Sequence, residues 1–270
     1  MSPKRYSHLL ALGLLFLCFT KAQAQSADSS SNGFLIAYIQ NTETTQEERM
    51  TYRKYTQPAF NLALQYFWEK QDKRQAIELR LGKNLNVIGT RFMTFQHLRP
   101  NMSYTYERKR GGLLLGGYVD IGSLLHFPLR NWEGNNTISY TMWSSMGFSG
   151  SWRQALSKDN KFSAQARLRF PLVAYVIRPA YGLPYPDNYL EDGTFDFQRK
   201  EMTRHLLTSG KMSTLDRFQQ ILFEAGLSMH ITEKQHQIGL SYVLDYLNYN
   251  EEKDIQQLRN GLQLSGIFNL

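Results

Sequence analysis

Apolar residues recur at every second position through most of the chain. The alternating stretches are separated by a short charged turn, then a longer polar loop, then a short turn again. Phe60, Leu62, Leu64, Tyr66 and Trp68 alternate with Asn61, Ala63, Gln65 and Phe67; Glu69 to Lys73 turns the chain, and Ile77, Leu79 and Leu81 resume against Glu78 and Arg80. A period of two is the mark of a β-strand whose two faces meet different surroundings. Met102, Tyr104 and Tyr106 repeat it against Ser103, Thr105 and Glu107, and Arg108 to Gly111 makes the next short turn. From Leu113 to Leu125 the strand is glycine-rich and apolar on both faces, so its alternation is weaker.

The clearest strand sets Ile138, Tyr140, Met142, Met146, Phe148 and Trp152 against Thr137, Ser139, Thr141, Ser145, Ser149 and Arg153. Ser157 to Asn160 turns it into Phe162, Ala164, Ala166, Leu168 and Phe170, opposed by Ser163, Gln165, Arg167 and Arg169. Further on, Ile221, Phe223, Ala225, Leu227 and Met229 face away from Gln220, Glu224, Ser228 and His230. Thr232 to Gln235 then leads into Ile238, Leu240, Tyr242, Leu244 and Tyr246. The opening strand is expected over Gly33 to Gln40, and the last one sets Leu262, Leu264, Phe268 and Leu270 against Gln263, Ser265 and Asn269.

Longer interruptions fall between these pairs: the polar stretch Asn41 to Thr56, strand ends around a loop in Lys83 to Arg99, His126 to Asn136, and Asn248 to Asp254. The longest is Arg178 to Thr214, where Pro179, Pro184, Pro186, Gly182 and Gly193 break regular structure and Asp196 to Leu207 has room for a short helix. The pattern gives ten strands, with every short turn on one side and both termini on that same side. Strands of ~9–11 tilted residues cross a bilayer, and bacterial barrels join them by short periplasmic turns and longer outer loops. The expected fold is therefore all-β: an antiparallel transmembrane up-and-down β-barrel of about 10 strands. A soluble barrel or sandwich is the alternative, because alternation alone does not say which face meets lipid. Two features weigh against it: Tyr66, Trp68, Tyr106 and Trp152 stand beside short turns on the apolar face like an interfacial girdle, and charges sit in mid-strand on the opposite face.

The N-terminus sets the compartment. Lys4 and Arg5 precede an apolar run from Leu9 to Phe19, and Ala22-Gln23-Ala24 supplies the small residues of a signal-peptidase site. Residues 1–24 are expected to be a cleaved signal peptide and 25–32 a flexible Ser-rich leader, with the barrel over 33–270. Cys18, the single cysteine, leaves with the signal; Leu17 before it stands where lipidation signals want a small residue. No disulfide or thiolate chemistry then remains. Formal charge is +8, and loss of Lys4, Arg5 and Lys21 takes it to +5. The basic residues are scattered, so nucleic acid is not the expected partner. With 16 Tyr, 16 Phe and a mean hydropathy of −0.45, the composition fits a wall whose polar inner residues dilute its apolar outer ones.

The final strand resembles the C-terminal strand of Gram-negative outer-membrane β-barrel proteins, which the barrel-assembly machinery reads and which usually ends on an aromatic residue; here Phe268 precedes a final Leu270. The resemblance covers nearly the whole mature chain and is one of architecture. It implies the cell outer membrane, termini in the periplasm, and contact with outer-membrane lipids including lipopolysaccharide.

Function is less legible. Glu78, Glu107, Asp120 and Glu224 are expected to pair inside the barrel with Arg80, Arg167 and Arg169, since charges away from water need partners. Such a network holds a small barrel shut; the alternative is a small channel or transport barrel lined by the same charges. A hydrolase is the second alternative. No histidine stands two residues before a serine, as in outer-membrane phospholipases, and the Asp-x-Asp and Asp-x-His pairs of omptin proteases are absent. Asp187, Glu191, Asp192, Asp196 and His205 follow no established ligand or acid–base spacing and read as a solvated loop. No metal, nucleotide or haem signature occurs, so no cofactor is expected. Tyr181, Tyr185, Tyr189, Phe195 and Phe197 give the longest loop more aromatic surface than a connector needs, which makes it the candidate partner-binding element in a non-enzymatic binding or accessory role within an outer-membrane assembly.

Overall fold

The computed structural model describes residues 31–47, 51–84, 95–128, 139–157, 159, 161–178, 210–231, 236–251 and 254–270. They form eleven strands: β1 (Ser31–Glu47), β2 (Thr51–Lys70), β3 (Lys73–Asn84), β4 (Phe95–Arg110), β5 (Leu113–Pro128), β6 (Ser139–Ala155), β7 (Phe162–Ile177), β8 (Lys211–Thr214), β9 (Phe218–His230), β10 (Gln237–Tyr249) and β11 (Ile255–Asn269). Each pairs antiparallel with its sequence neighbour from β1 to β7 and from β9 to β11, and β7 bridges to β9. β1 pairs with β11 from Gly33↔Asn269 to Glu47↔Ile255, so the sheet closes on itself. The result is a ten-strand up-and-down barrel.

β8 adds no separate stave. It lies on the far half of β7, Val173 to Val176, while β9 holds the near half, Phe162 to Arg169; a turn at Leu215 to Arg217 divides what is one broken strand. A register shift between Met146 and Gly147 of β6 faces this break. Bulges of this kind bend a wall and re-aim its side chains.

Two hairpin turns are tighter than the charge runs suggested. β2 turns into β3 through Gln71-Asp72, and β4 into β5 through Gly111-Gly112. Gln71 (φ 48°) and Gly111 (φ 62°) supply the positive φ at the first central position that a right-twisting two-residue hairpin requires. In the β6–β7 turn, the Ser157 hydroxyl and the Lys161 backbone N–H hold the Asp159 carboxyl below its ordinary value.

Several strands outrun their expected bounds. Asn41 to Thr56 is not a loop: β1 runs to Glu47 and β2 starts at Thr51, with Asn41 to Thr45 paired in register to both β2 and β11. β1 also begins at Ser31, inside the stretch assigned to the leader. β5 continues to Pro128, so His126 is a strand residue, and Lys211–Thr214 is strand β8 within the span read as the longest loop. Apart from the four-residue β8, the strands have 12 to 20 residues, more than the ~9–11 needed to cross hydrocarbon. Beyond the apolar belt β1 and the start of β2 stay hydrogen-bonded in the wall but carry polar side chains on both faces, as at Asn41 to Thr45, and there the hydropathy signal stops before the strand does.

Outward positions form a continuous apolar belt. Ile36, Leu64, Leu79, Met102 and Ile121 lie side by side across five neighbouring strands and are 49–64% exposed. Toward the short-turn rim the belt becomes aromatic: Phe34, Tyr66, Trp68 and Tyr104 follow one another with ring centroids 5.0 to 6.4 Å apart. The Tyr104 hydroxyl donates to Gln75 at 2.6 Å, and Arg108 donates to the Tyr106 hydroxyl at 2.9 Å. Rings with one apolar and one polar end suit a boundary between hydrocarbon and water.

Candidate functional site: a closed, charged lumen

The inward positions reverse the usual order of a globular protein. Glu43, Glu78, Glu107, Asp120 and Asp245 are at most 6% exposed, as are Arg99, Arg169 and Arg259, while the apolar side chains of the belt, among them Ile36, Leu64, Leu79, Met102 and Ile121, point outward. In a soluble barrel the buried face would be the apolar one. Charges enclosed by a wall whose outside is hydrocarbon-like require lipid, not water, around that wall. The chain is a β-barrel of the membrane-spanning type.

Three layers fill the barrel. The first, nearest the short-turn side, centres on Glu78 of β3. It takes Arg80 at 3.1 Å, Arg167 at 3.0 Å and Arg169 at 3.5 Å, and Arg80 reaches across to Glu224 of β9 at 2.6 Å. Of the expected charged set, Glu78, Arg80, Arg167, Arg169 and Glu224 therefore come together. Glu107 and Asp120 do not join them as ion pairs. Ser149 and Ser151 donate to Glu107 at 2.7 and 3.0 Å; Asn101, Trp143 and Ser145 donate to Asp120, the first two at 2.9 and 3.4 Å. Hydroxyls, an amide and an indole N–H fill the role assigned to arginine, because the guanidiniums near them are already engaged: Arg167, near Glu107, by Glu78 and Arg99, near Asp120, by Asp245.

The second layer contains residues outside the expected set. Arg259 of β11 donates to Glu43 of β1 at 2.6 Å and to Asn61 of β2 at 3.2 Å; Arg99 of β4 donates to Asp245 at 3.0 Å and Gln257 at 2.9 Å. His97 binds the other Glu43 oxygen through Nδ1 and packs against His126, its register partner on β5, with ring centroids 4.2 Å apart. Parity would have found these residues. Glu43 continues the odd-numbered series Asn41, Glu43, Thr45; His97 and Arg99 extend that of Ser103 to Glu107; and Arg259 extends that of Gln263 and Ser265. Between the two charged layers remains a cavity of only about 30 Å³, bordered by Asn61, Arg80, Arg99, Tyr118 and Asp245. That is room for one or two waters.

The third layer is apolar and lies toward the opposite rim: Leu124, Trp143, Ala174, Val176, Phe218, Leu247, Tyr249 and Ile255 form one buried cluster inside the wall. Arg99 lies over the Trp143 ring at 5.6 Å and joins it to the charged layer beneath. At the short-turn end, in contrast, the lumen opens into a polar cavity of about 700 Å³ whose floor includes Arg167 and Glu224.

Gly82 is required by the second layer. A Cβ there would lie 2.1 Å from Arg259 Nη1 and 2.3 Å from Asn61 Oδ1. Gly82→Ala is expected to push the Arg259 guanidinium off Asn61 and to cost about 1–3 kcal/mol, as overpacking does; a lowered urea midpoint in detergent checks it.

The candidate loop residues Tyr181, Tyr185, Tyr189, Phe195 and Phe197, and the acidic set Asp187, Glu191, Asp192, Asp196 and His205, lie outside the described residues, as does the Asp196 to Leu207 helix. Among the described residues, no group of three or more His, Cys, Asp or Glu side chains is placed to hold a metal ion.

No protein-family model matches this sequence, and no curated protein does. Solved structures with a similar course of chain include the outer membrane protease OmpT from Escherichia coli, with 7% identity over 93% of this chain and 100% of that one (TM-score 0.46). The translocator domain of the autotransporter NalP from Neisseria meningitidis has 10% identity over 96% of each chain (TM-score 0.37). Ail, the attachment invasion locus protein of Yersinia pestis, has 11% identity over 89% of this chain and 99% of that one (TM-score 0.23). At these identities no residue role passes from them to this barrel.

Proposed function

We propose that the protein is a shut outer-membrane barrel that works by binding and not by conduction or catalysis. In this reading its short-turn rim and both termini face the periplasm and its long connections face outward. One observation carries it: the middle of the lumen is filled by two charged layers and an apolar layer, with about 30 Å³ left between the charged ones. A passage needs a continuous polar bore, and small barrels commonly fill theirs with side chains. A rigid closed wall is a suitable scaffold for loops that recognise a partner. The proposed role is accessory: the segment Pro184 to His205, rich in tyrosine and phenylalanine, engages another component of an outer-membrane assembly. Lipopolysaccharide is part of the lipid around the belt, and the barrel-assembly machinery inserts the chain through its last strand.

Deleting Pro184 to His205 is expected to abolish partner recovery from native membranes in mild detergent while heat-modifiable migration persists. The intact protein is expected to give no conductance steps in planar bilayers. Unchanged recovery would sink the binding role, and steady single-channel currents would sink the shut lumen.

A further inference from the structure

On the short-turn side, just past the aromatic edge of the belt, three cations stand in one row. Lys70 of β2 is in register with Lys73 of β3, and Lys73 with Arg108 of β4. All three are exposed and share the parity of outward residues on their strands, Leu64, Ile77 and Met102. Neighbouring strands lie about 5 Å apart, so the row packs three like charges into about 10 Å, and like charges directly opposite repel. Among the described residues none of the three forms an ion pair: Glu69 is taken by Arg74 at 3.2 Å, and Asp72, in the turn, reaches Arg108 only through its longer-range field. The row is not one arc of a charged ring. Its next register positions are Leu115 of β5 and Gly150 of β6, and the short-turn ends of β7, β9, β10 and β11 carry Phe162, Met229, Ile238 and Phe268, 37–47% exposed. Repulsion concentrated in one sector of an otherwise apolar rim is relieved by a bound anion.

Position indicates which anion. The next outward row toward the belt is Trp68, Gln75 and Tyr106, and the one beyond it Tyr66, Ile77 and Tyr104. Arg108 folds back onto this ledge: its Nε donates to the Tyr106 hydroxyl at 2.9 Å and its guanidinium lies 5.9 Å from the ring centroid, which leaves both terminal nitrogens for another acceptor. The Tyr104 hydroxyl donates to Gln75 Oε1 at 2.6 Å and leaves the Gln75 amide nitrogen likewise. Lys73 also borders the mouth of the polar cavity, so the row stands where the wall meets water. A ligand held here has its charge on the cations and the rest of its length against aromatic rings and the apolar belt. A phospholipid has that shape. Its phosphate accepts charge-assisted hydrogen bonds from arginine and lysine, and basic residues at a membrane surface attract anionic lipid. With no carboxylate in the row to hold a choline or ammonium group, the net negative headgroup is the one selected.

We propose that the row Lys70, Lys73 and Arg108 is a binding site for an anionic phospholipid, with its phosphate on the three cations and its acyl chains along the belt past Trp68 and Tyr104. The inference goes beyond the loop-binding role and does not rest on it.

Trp68 beside the row is the reporter. The protein is reconstituted in phosphatidylcholine vesicles containing a small share of phosphatidylglycerol with brominated chains, and quenching of Trp68 is taken as the difference between the parent and its Trp68→Phe variant. The brominated lipid is expected to gather at Trp68 about tenfold above its bulk share. In the Lys70→Gln/Lys73→Gln/Arg108→Gln protein it is expected to fall to the bulk share, and in Arg108→Gln alone to an intermediate value. The Lys54→Gln/Lys83→Gln/Lys161→Gln protein loses the same charge elsewhere and is expected to match the parent. Heat-modifiable migration verifies that each variant folds. Bulk-share quenching in the parent, or equal losses in the two triple variants, overturns the site. Displacement of the lipid by added inorganic phosphate would show a site for a free anion and overturns the lipid as its occupant; persistence of the quenching supports it.

Discussion

Arg259→Met is expected to lower stability by about 3–5 kcal/mol, the usual cost of leaving one member of a buried ion pair alone. Glu43 is wholly buried, and both Nε and Nη2 of Arg259 stand 2.6 Å from its Oε2. Methionine fills much of the volume but removes the charge and the Nε donor, and Asn61 loses its partner as well. His97 on the other carboxylate oxygen is itself buried, so it offers limited relief. Urea unfolding in detergent, followed by tryptophan fluorescence, measures the loss as a shift in midpoint. The Glu43→Gln/Arg259→Met protein is expected to recover most of it, because the stranded charge is gone. Equal losses in the single and double variants would show that packing around Arg259, and not its charge, holds the second layer.

Leu79→Arg tests the opposite face. Leu79 is at the centre of the outward run Ile77, Leu79, Leu81, is 53% exposed, and lies between Leu64 and Met102 on the adjacent strands. A charge at the middle of a lipid-facing belt costs about 2–4 kcal/mol, falling to about 0–1 near its edge. Leu79→Arg is thus expected to fold poorly into vesicles, while Gln75→Arg, outward on the same strand but beside the short turn, stays close to the parent. Reversible folding titrations in lipid vesicles give both values. Two equal and small effects would mean that the belt does not face hydrocarbon.

Legibility in the sequence followed the chemistry of the surroundings. Where a strand has lipid on one side and polar groups on the other, as from Phe60 to Trp68 or Phe162 to Phe170, alternation located it and assigned its faces. Past the belt β1 is polar on both sides; Asn41 to Thr45 then carry no hydropathy contrast, although they pair as regularly as Phe34 to Tyr38. Glu43 was missed for that reason, and His97, Arg99 and Arg259 because they lie beyond the strand ends that the alternation marked. Which inward charges meet was also hidden. Arg80 and Glu224 are 144 positions apart and touch because the barrel curves them toward one another, something no local pattern encodes. Glu107 illustrates the converse: of its donors on β6, Ser149 was legible as an inward residue and Ser151 shares its parity, but their geometry as donors was not legible.

The seam between β1 and β11 has a consequence for how the molecule comes to exist. Its register joins Gly33 to Asn269 and holds through fifteen successive residues of β1, Gly33 to Glu47, so the first strand made waits for the last before either has two neighbours. Every shorter chain has two raw edges, each with a row of unmet backbone groups that invite other strands. Contacts of such sequence separation also form slowly. The protein is therefore all-or-none in the making: removal of a few C-terminal residues is predicted to yield not a slightly smaller barrel but an open, adhesive sheet.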